Sequence, residues 1–122
     1  MKYLRVYNDE KGQSHIGECD WEMHQENLSP PSTAGYSVTK MMPARGVAIM
    51  HNPAGVEDEW HPIPARSLVT VLKGKIRLQT SDGDSRVVQP GDLILFEDTT
   101  GTGHLLNGVD QQESDFAIIR LA

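Results

Sequence analysis

Two imidazoles carry the clearest chemical signal in this sequence. His61 stands in "DEWHPIPARSLVTVLKG", at the mouth of an apolar run. His104 stands in "EDTTGTGHLLNG", again at the edge of an apolar stretch. An imidazole can ligate a metal through one ring nitrogen, or hydrogen-bond an organic ligand through either. A first-row metal asks for three or four protein ligands and open positions for substrate and water. Two histidines alone bind weakly and select poorly. A third ligand must come from elsewhere, and His51, at the end of "VAIMH" just before the "NPAG" turn, is the first candidate. Glu57, Glu59 and Glu97 are the carboxylate candidates.

The elements that must position these groups read as strands. "YLRVY", "HIGECDWEM", "GVAIM", "SLVTVL", "SRVVQ", "LILFE" and "DFAIIRLA" are short runs rich in β-formers, and "KIRLQT" alternates strictly between apolar and polar residues. "SDGD" supplies a hairpin turn, since Asp-Gly tolerates positive φ, and "PGD" turns the chain again. No window keeps apolar residues at i, i+3, i+4 and i+7 over three helical turns. Short strands spaced about every 8 to 12 residues indicate an all-β sandwich or barrel. "NLSPPSTAGYS", residues 27–37, reads as a loop between an N-terminal strand-like arm, residues 1–44, and a core, residues 45–122.

Composition bounds the function classes. The chain has 122 residues, a common size for one domain. Seventeen acidic against eleven basic side chains leave a formal charge of −6. That balance argues against a nucleic-acid surface and against an anionic membrane face. A single cysteine, Cys19, excludes an intramolecular disulfide and has no evident histidine partner as a nucleophile. No signal-type segment and no run of about 18 apolar residues is present, so a cytoplasmic location is the expectation.

The spacing of the second half resembles the cupin superfamily, over residues 45–121. In its first motif Gly55 is followed by five residues and His61, and Gly74 closes the motif. In its second, "PGDLILFEDTTGTGHLLN" gives Gly91, Gly103, His104 and Asn107, with extra residues between strand and histidine. The match is closest to single-domain cupins reading "EDTTGxGH", most without assigned activity. The family's second histidine falls on Ile63 and its glutamate on Ser67, so two of four usual ligands are missing.

The resemblance implies a double-stranded β-helix, or jelly-roll barrel, and a homodimer. The arm offers one route to that dimer, as an edge strand added to a neighbour's sheet. If Ser67 takes the inward glutamate position, period 2 brings Val69 inward with it. Trp60, His61, Ser67, Val69, Arg77 and His104 are then the ligand-lining candidates. Arg77 either faces solvent or enters the cup as a carboxylate clamp. His61 and His104 are the metal candidates, with His51 as third ligand, and Fe, Mn, Ni, Zn or Co as the ion. Glu97 is a weaker candidate for general base, whereas Arg66 reads as a surface residue and His15 and His24 as solvent-exposed. Two functions follow. One is a small-molecule-binding cupin with a degenerate metal site, holding a small polar or acidic metabolite. The alternative is a divalent-metal enzyme of isomerase, dioxygenase or lyase type. Whether the protein is an enzyme stays open at this point.

Overall fold

A computed structural model describes residues 1–26 and 35–122; the loop expected over 27–37 falls largely outside the described residues. Among the described residues, eleven strands account for the regular structure, joined by turns and one short 3-10 turn at Val109–Gln111. They are β1 (Lys2–Asn8), β2 (Ser14–Asp20), β3 (His24–Glu26), β4 (Tyr36–Val38), β5 (Ala44–Asn52), β6 (Ser67–Lys73), β7 (Ile76–Thr80), β8 (Ser85–Val88), β9 (Leu93–Phe96), β10 (His104–Gly108) and β11 (Ser114–Leu121). The protein is all-β, as its sequence periodicity predicts. No helix among the described residues is long and apolar enough to cross a membrane.

Six strands form one sheet in the order β2-β1-β9-β6-β11-β5, and three form a second in the order β10-β7-β8. The β3–β4 pair is a separate two-stranded ribbon. β1 runs parallel to β9 and antiparallel to β2, so the amino-terminal hairpin is built into the main sheet.

Alternation sorts β6 between two clusters. Val69 and Val71 pack with Val6, Ile76, Leu78, Ile94, Phe96 and Phe116 in a core that draws on both sheets. Leu68, on the opposite face, joins Leu95 and Leu121, with Tyr3, Trp21 and Met42 from the first 44 residues packed over them. Phe96 and Phe116 are fully buried, and truncating a buried phenylalanine to alanine typically costs about 3–5 kcal/mol. The interior is therefore filled where Ser67, Val69 and Val71 point.

Glycines complete two of the turns. Gly74, between β6 and β7, has φ +87, and a Cβ there would lie 2.4 Å from the Glu113 carbonyl oxygen. Gly83 takes φ +90 in the "SDGD" hairpin between β7 and β8. Both positions favour a residue without a side chain.

Candidate functional site

His104 opens β10 and His61 lies on the segment that precedes β6. Their backbones form an antiparallel bridge: His104 N–H donates to the His61 carbonyl at 2.9 Å, and His61 N–H donates back at 3.3 Å. The ring centroids are 4.7 Å apart, tilted at 57°. Gly103 makes this approach possible. Its φ is +79, and a Cβ there would fall 1.9 Å from the His61 carbonyl oxygen. The glycine before the histidine is thus a steric requirement of the bridge.

Each imidazole is oriented through Nδ1. His104 donates it to Asp98 Oδ2 at 2.6 Å, with both side chains essentially closed to solvent, and the Phe96 ring lies 4.4 Å from its own. His61 donates Nδ1–H to the Glu59 carbonyl at 2.6 Å, with Asp58 Oδ1 3.5 Å away. A carbonyl can only accept, so in the neutral ring of His61 the lone pair is on Nε2. Where the Asp98 oxygen accepts from Nδ1–H, the neutral ring of His104 has the same tautomer. The second Asp98 oxygen, Oδ1, is buried without a hydrogen-bond partner among the described residues.

Asp58 ties the His61 segment to β10. Its N–H donates to Asn107 Oδ1 at 2.7 Å, and its carboxylate Oδ2 accepts from Leu106 N–H at 2.9 Å. The amino-terminal hairpin braces the other side. Asn8 Nδ2 donates to Thr100, and the buried Ser14 hydroxyl donates to the Gly103 carbonyl at 2.6 Å. Sequence reasoning passed over Asn8, Ser14 and Asp58, because none carries a signal apart from the fold that delivers it. Asn107 was visible as a motif position, and its partner was not.

A cavity of about 190 Å³ opens beside His61, walled by Met50, Val56, Asp58, Leu106 and Ser114 among others. That is below the usual 300–1,000 Å³ of small-molecule sites, so any occupant is small. Its charged lining is Glu57, Asp58 and His61, with no arginine or lysine. A larger cleft of about 340 Å³ lies along β1 and β8, where Arg86 is already paired with Glu18, and it contains none of the histidines.

The remaining sequence candidates go elsewhere. Ser67 is buried in the protein interior and donates to the Ala65 carbonyl at 2.8 Å, while Val69 belongs to the filled core. Neither lines the cavity. Arg77 is exposed, on the face of β7 opposite the buried Ile76 and Leu78, with Nη1 3.4 Å from Ser85 Oγ. It is no carboxylate clamp inside the fold. Trp60 is 45 % exposed and lies outside the cavity lining. His51 pairs with Asp115 at 2.5 Å across β5 and β11. Strand alternation puts it opposite Met50, the residue that faces the cavity. Glu97 points away from its neighbour Asp98, to Arg5 and, at 2.8 Å, to Arg66. Burial alone would raise its carboxyl, but the two arginines outweigh that and hold it below the ordinary carboxylate value. A carboxylate so held is a poor general base.

The donor set tests the metal expectation. The Nδ1 contacts suit metal-binding imidazoles, since such contacts are how ligating histidines are oriented. The number does not suit: among the described residues no three His, Cys, Asp or Glu side chains converge as a metal site. Among the described residues the two paired imidazoles fall short of the three or four ligands that a first-row ion asks for.

No family model matches this chain, and no curated protein matches it at significant similarity.

Proposed function

We propose that this chain is a cupin-like binding protein that holds a small polar molecule in the cavity beside His61, without a resident metal. One observation carries the reading: the two imidazoles are positioned as a pair while a third ligand is lacking among the described residues. The lining refines the sequence expectation of a polar or acidic metabolite. An acid would meet Glu57 and Asp58 with one imidazole to offset them, so a neutral, hydroxyl-bearing molecule suits the cavity better. His61 Nε2 accepts a hydrogen bond from such a ligand in its neutral form, and Met50, Val56 and Leu106 cover its apolar edges.

A second reading, a divalent-metal enzyme of isomerase, dioxygenase or lyase type, is favoured by the Nδ1 contacts of both rings, which leave Nε2 free. It requires a ligand that the described residues do not provide.

Elemental analysis of untagged protein purified without chelator decides between them, followed by ¹⁵N-resolved titration with small polyols and small carboxylates. Trace metal, with polyol-induced shifts at Asp58, His61 and Leu106 that vanish in His61→Ala, is the expected result. Stoichiometric metal lost in a His61→Ala, His104→Ala double variant would establish the second reading instead.

A further inference from the structure

His15, expected from sequence to be solvent-exposed, has a carboxylate at each of its ring nitrogens. Nε2 lies 2.7 Å from Asp9 Oδ2, and Nδ1 lies 2.9 Å from Asp82 Oδ2. Each carboxylate is fixed through its other oxygen by its own turn. Asp9 Oδ1 accepts from Lys11 N–H at 2.8 Å and from Gln13 N–H at 3.0 Å, in the turn between β1 and β2. Asp82 Oδ1 accepts from the Thr80 hydroxyl at 2.6 Å and from Asp84 N–H at 3.0 Å, in the turn between β7 and β8. Neither acid can swing away from the ring without losing two hydrogen bonds. From β1, Tyr7 stacks on the imidazole at 5.5 Å between centroids, with Arg5 over the tyrosine ring, and Asp84 is paired with Arg86. A neutral imidazole has one N–H, so it can donate to one of the two acids and must turn a lone pair on the other. Only the imidazolium donates to both, and the geometry is that of the charged ring.

We infer that His15 is a proton-operated latch between the two sheets, which in its charged form fastens the β1–β2 turn to the β7–β8 turn and steadies the loop that delivers His104. The residues beside it make the connection. Ser14 N–H donates to Ser81 Oγ and Ser81 N–H donates to Ser14 Oγ, both at 2.8 Å, while Asp82 N–H donates to the Ser14 carbonyl at 3.3 Å. The same Ser14 hydroxyl holds the Gly103 carbonyl, one residue before His104. The Gly12 carbonyl sits so close to Gly101 that a Cβ there would fall 2.7 Å from its oxygen. Asn8, Gly12 and Ser14 thus seat the β1–β2 turn on the loop that ends at His104, and His15 ties that turn to the second sheet. When the ring loses its proton, one carboxylate faces a lone pair at under 3 Å. The Asp82 contact is the longer of the two and the one that crosses between sheets, so it is the one released. The two acids raise the imidazole's pKa above its ordinary 6.5, Asp9 first. The tie is therefore complete below 6.5 and lost as pH climbs through the folded value. None of this depends on an occupant of the cavity beside His61.

Nuclear magnetic resonance on the full ¹⁵N-labelled chain reads the latch without a ligand. Both ring nitrogens of His15 should carry protons at pH 5.5, with a titration midpoint above 6.5. Amide hydrogen exchange at pH 5.5 and pH 8.5, each referred to unstructured peptide at the same pH, then reports the turns. Protection at Ser14, Ser81 and Asp82 should fall by about tenfold for each unit by which the fold raises the imidazole's pKa. Protection at His104 should fall with it. In His15→Gln the pH dependence at all four amides should disappear. A midpoint at or below 6.5 overturns the proposal, as does protection at Ser14, Ser81 and Asp82 that ignores pH. So does a His104 response that persists in His15→Gln, because it would report the titration of His61 or His104 themselves. If His15→Gln does not fold, Asp82→Asn decides: the midpoint should drop toward 6.5 and the pH dependence of the four amides should shrink with it, and an unchanged dependence overturns the latch.

Discussion

Asp98 Oδ2 lies 2.6 Å from His104 Nδ1, and neither side chain is open to solvent. A buried carboxylate whose other oxygen has no partner among the described residues depends on that one contact. His104→Ala leaves Asp98 without its partner in the interior and is expected to lower unfolding free energy by about 1–3 kcal/mol, the cost of a buried polar group left unsatisfied. Asp98→Asn keeps an acceptor for Nδ1–H and should lose less. Urea unfolding of the two variants checks the order. Equal losses would mean that shape, not the contact, governs this corner.

Gly103→Ala is the sharpest test of the histidine bridge. The added methyl has to displace the His61 carbonyl at a backbone φ of +79. Of order 3 kcal/mol or more should be lost, since both positive-φ strain and a backbone shift are imposed. The amide resonances of His61 and His104 should move together. A variant as stable as the parent, with those resonances in place, would contradict the close approach of the two backbones.

Glu97 predicts an acid-side dependence. Its carboxyl is held below the ordinary value by Arg5 and Arg66 against the opposing effect of burial. A depressed folded pKa means stability that is present above the unfolded value, about 4.3, and lost as pH falls through the folded one. Both arginines are nearly half exposed, so solvent screening keeps the contribution to about 1 kcal/mol. Glu97→Gln should narrow the gap in Tm between pH 7 and pH 3.5. An unchanged gap would show the pair to be energetically idle.

His15 predicts the opposite slope. Asp9 Oδ2 at 2.7 Å and Asp82 Oδ2 at 2.9 Å flank its ring and raise its pKa, Asp9 first. A raised folded pKa means stability fully present below the unfolded value, about 6.5, and lost as pH climbs through the folded one. The Tm difference between the parent and His15→Gln should therefore be larger at pH 5.5 than at pH 8.5. The same difference at both would remove His15 from the pH response.

Much of the fold was legible because strand periodicity is local. "KIRLQT" alternates in sequence as Ile76 and Leu78 bury and Arg77 stays out. β10 was missed as a strand, since "HLLNG" is short, and its pairing with β7 is a matter of tertiary register. For the site, Glu97 was legible as a carboxylate at a strand end, and the structure turns it to Arg5 and Arg66 while the adjacent Asp98 turns to His104. Sequence alone could not say that Asp98 would reach His104, six residues on, across a loop. Ser67 and Val69 do point inward, and only packing reveals that the space they enter is already full. His51 looked close to His61 along the chain. Its face on β5 was undetermined until Met50 was seen to take the cavity side.

The placement of β11 has a bearing on how the chain comes together in time. It lies between β6 and β5, so residues 114–121 must arrive before β5 can join the six-stranded sheet. β1 waits in the same way for β9, whose partner residues come late in the chain. Few of these pairings are local, and topologies of that kind fold slowly. Until β11 inserts, both β5 and β6 present bare edges, and the run Gly46–Met50 is an open template for any extended strand nearby. Yield in a cell should then depend on synthesis rate and temperature more than the stability of the finished protein implies.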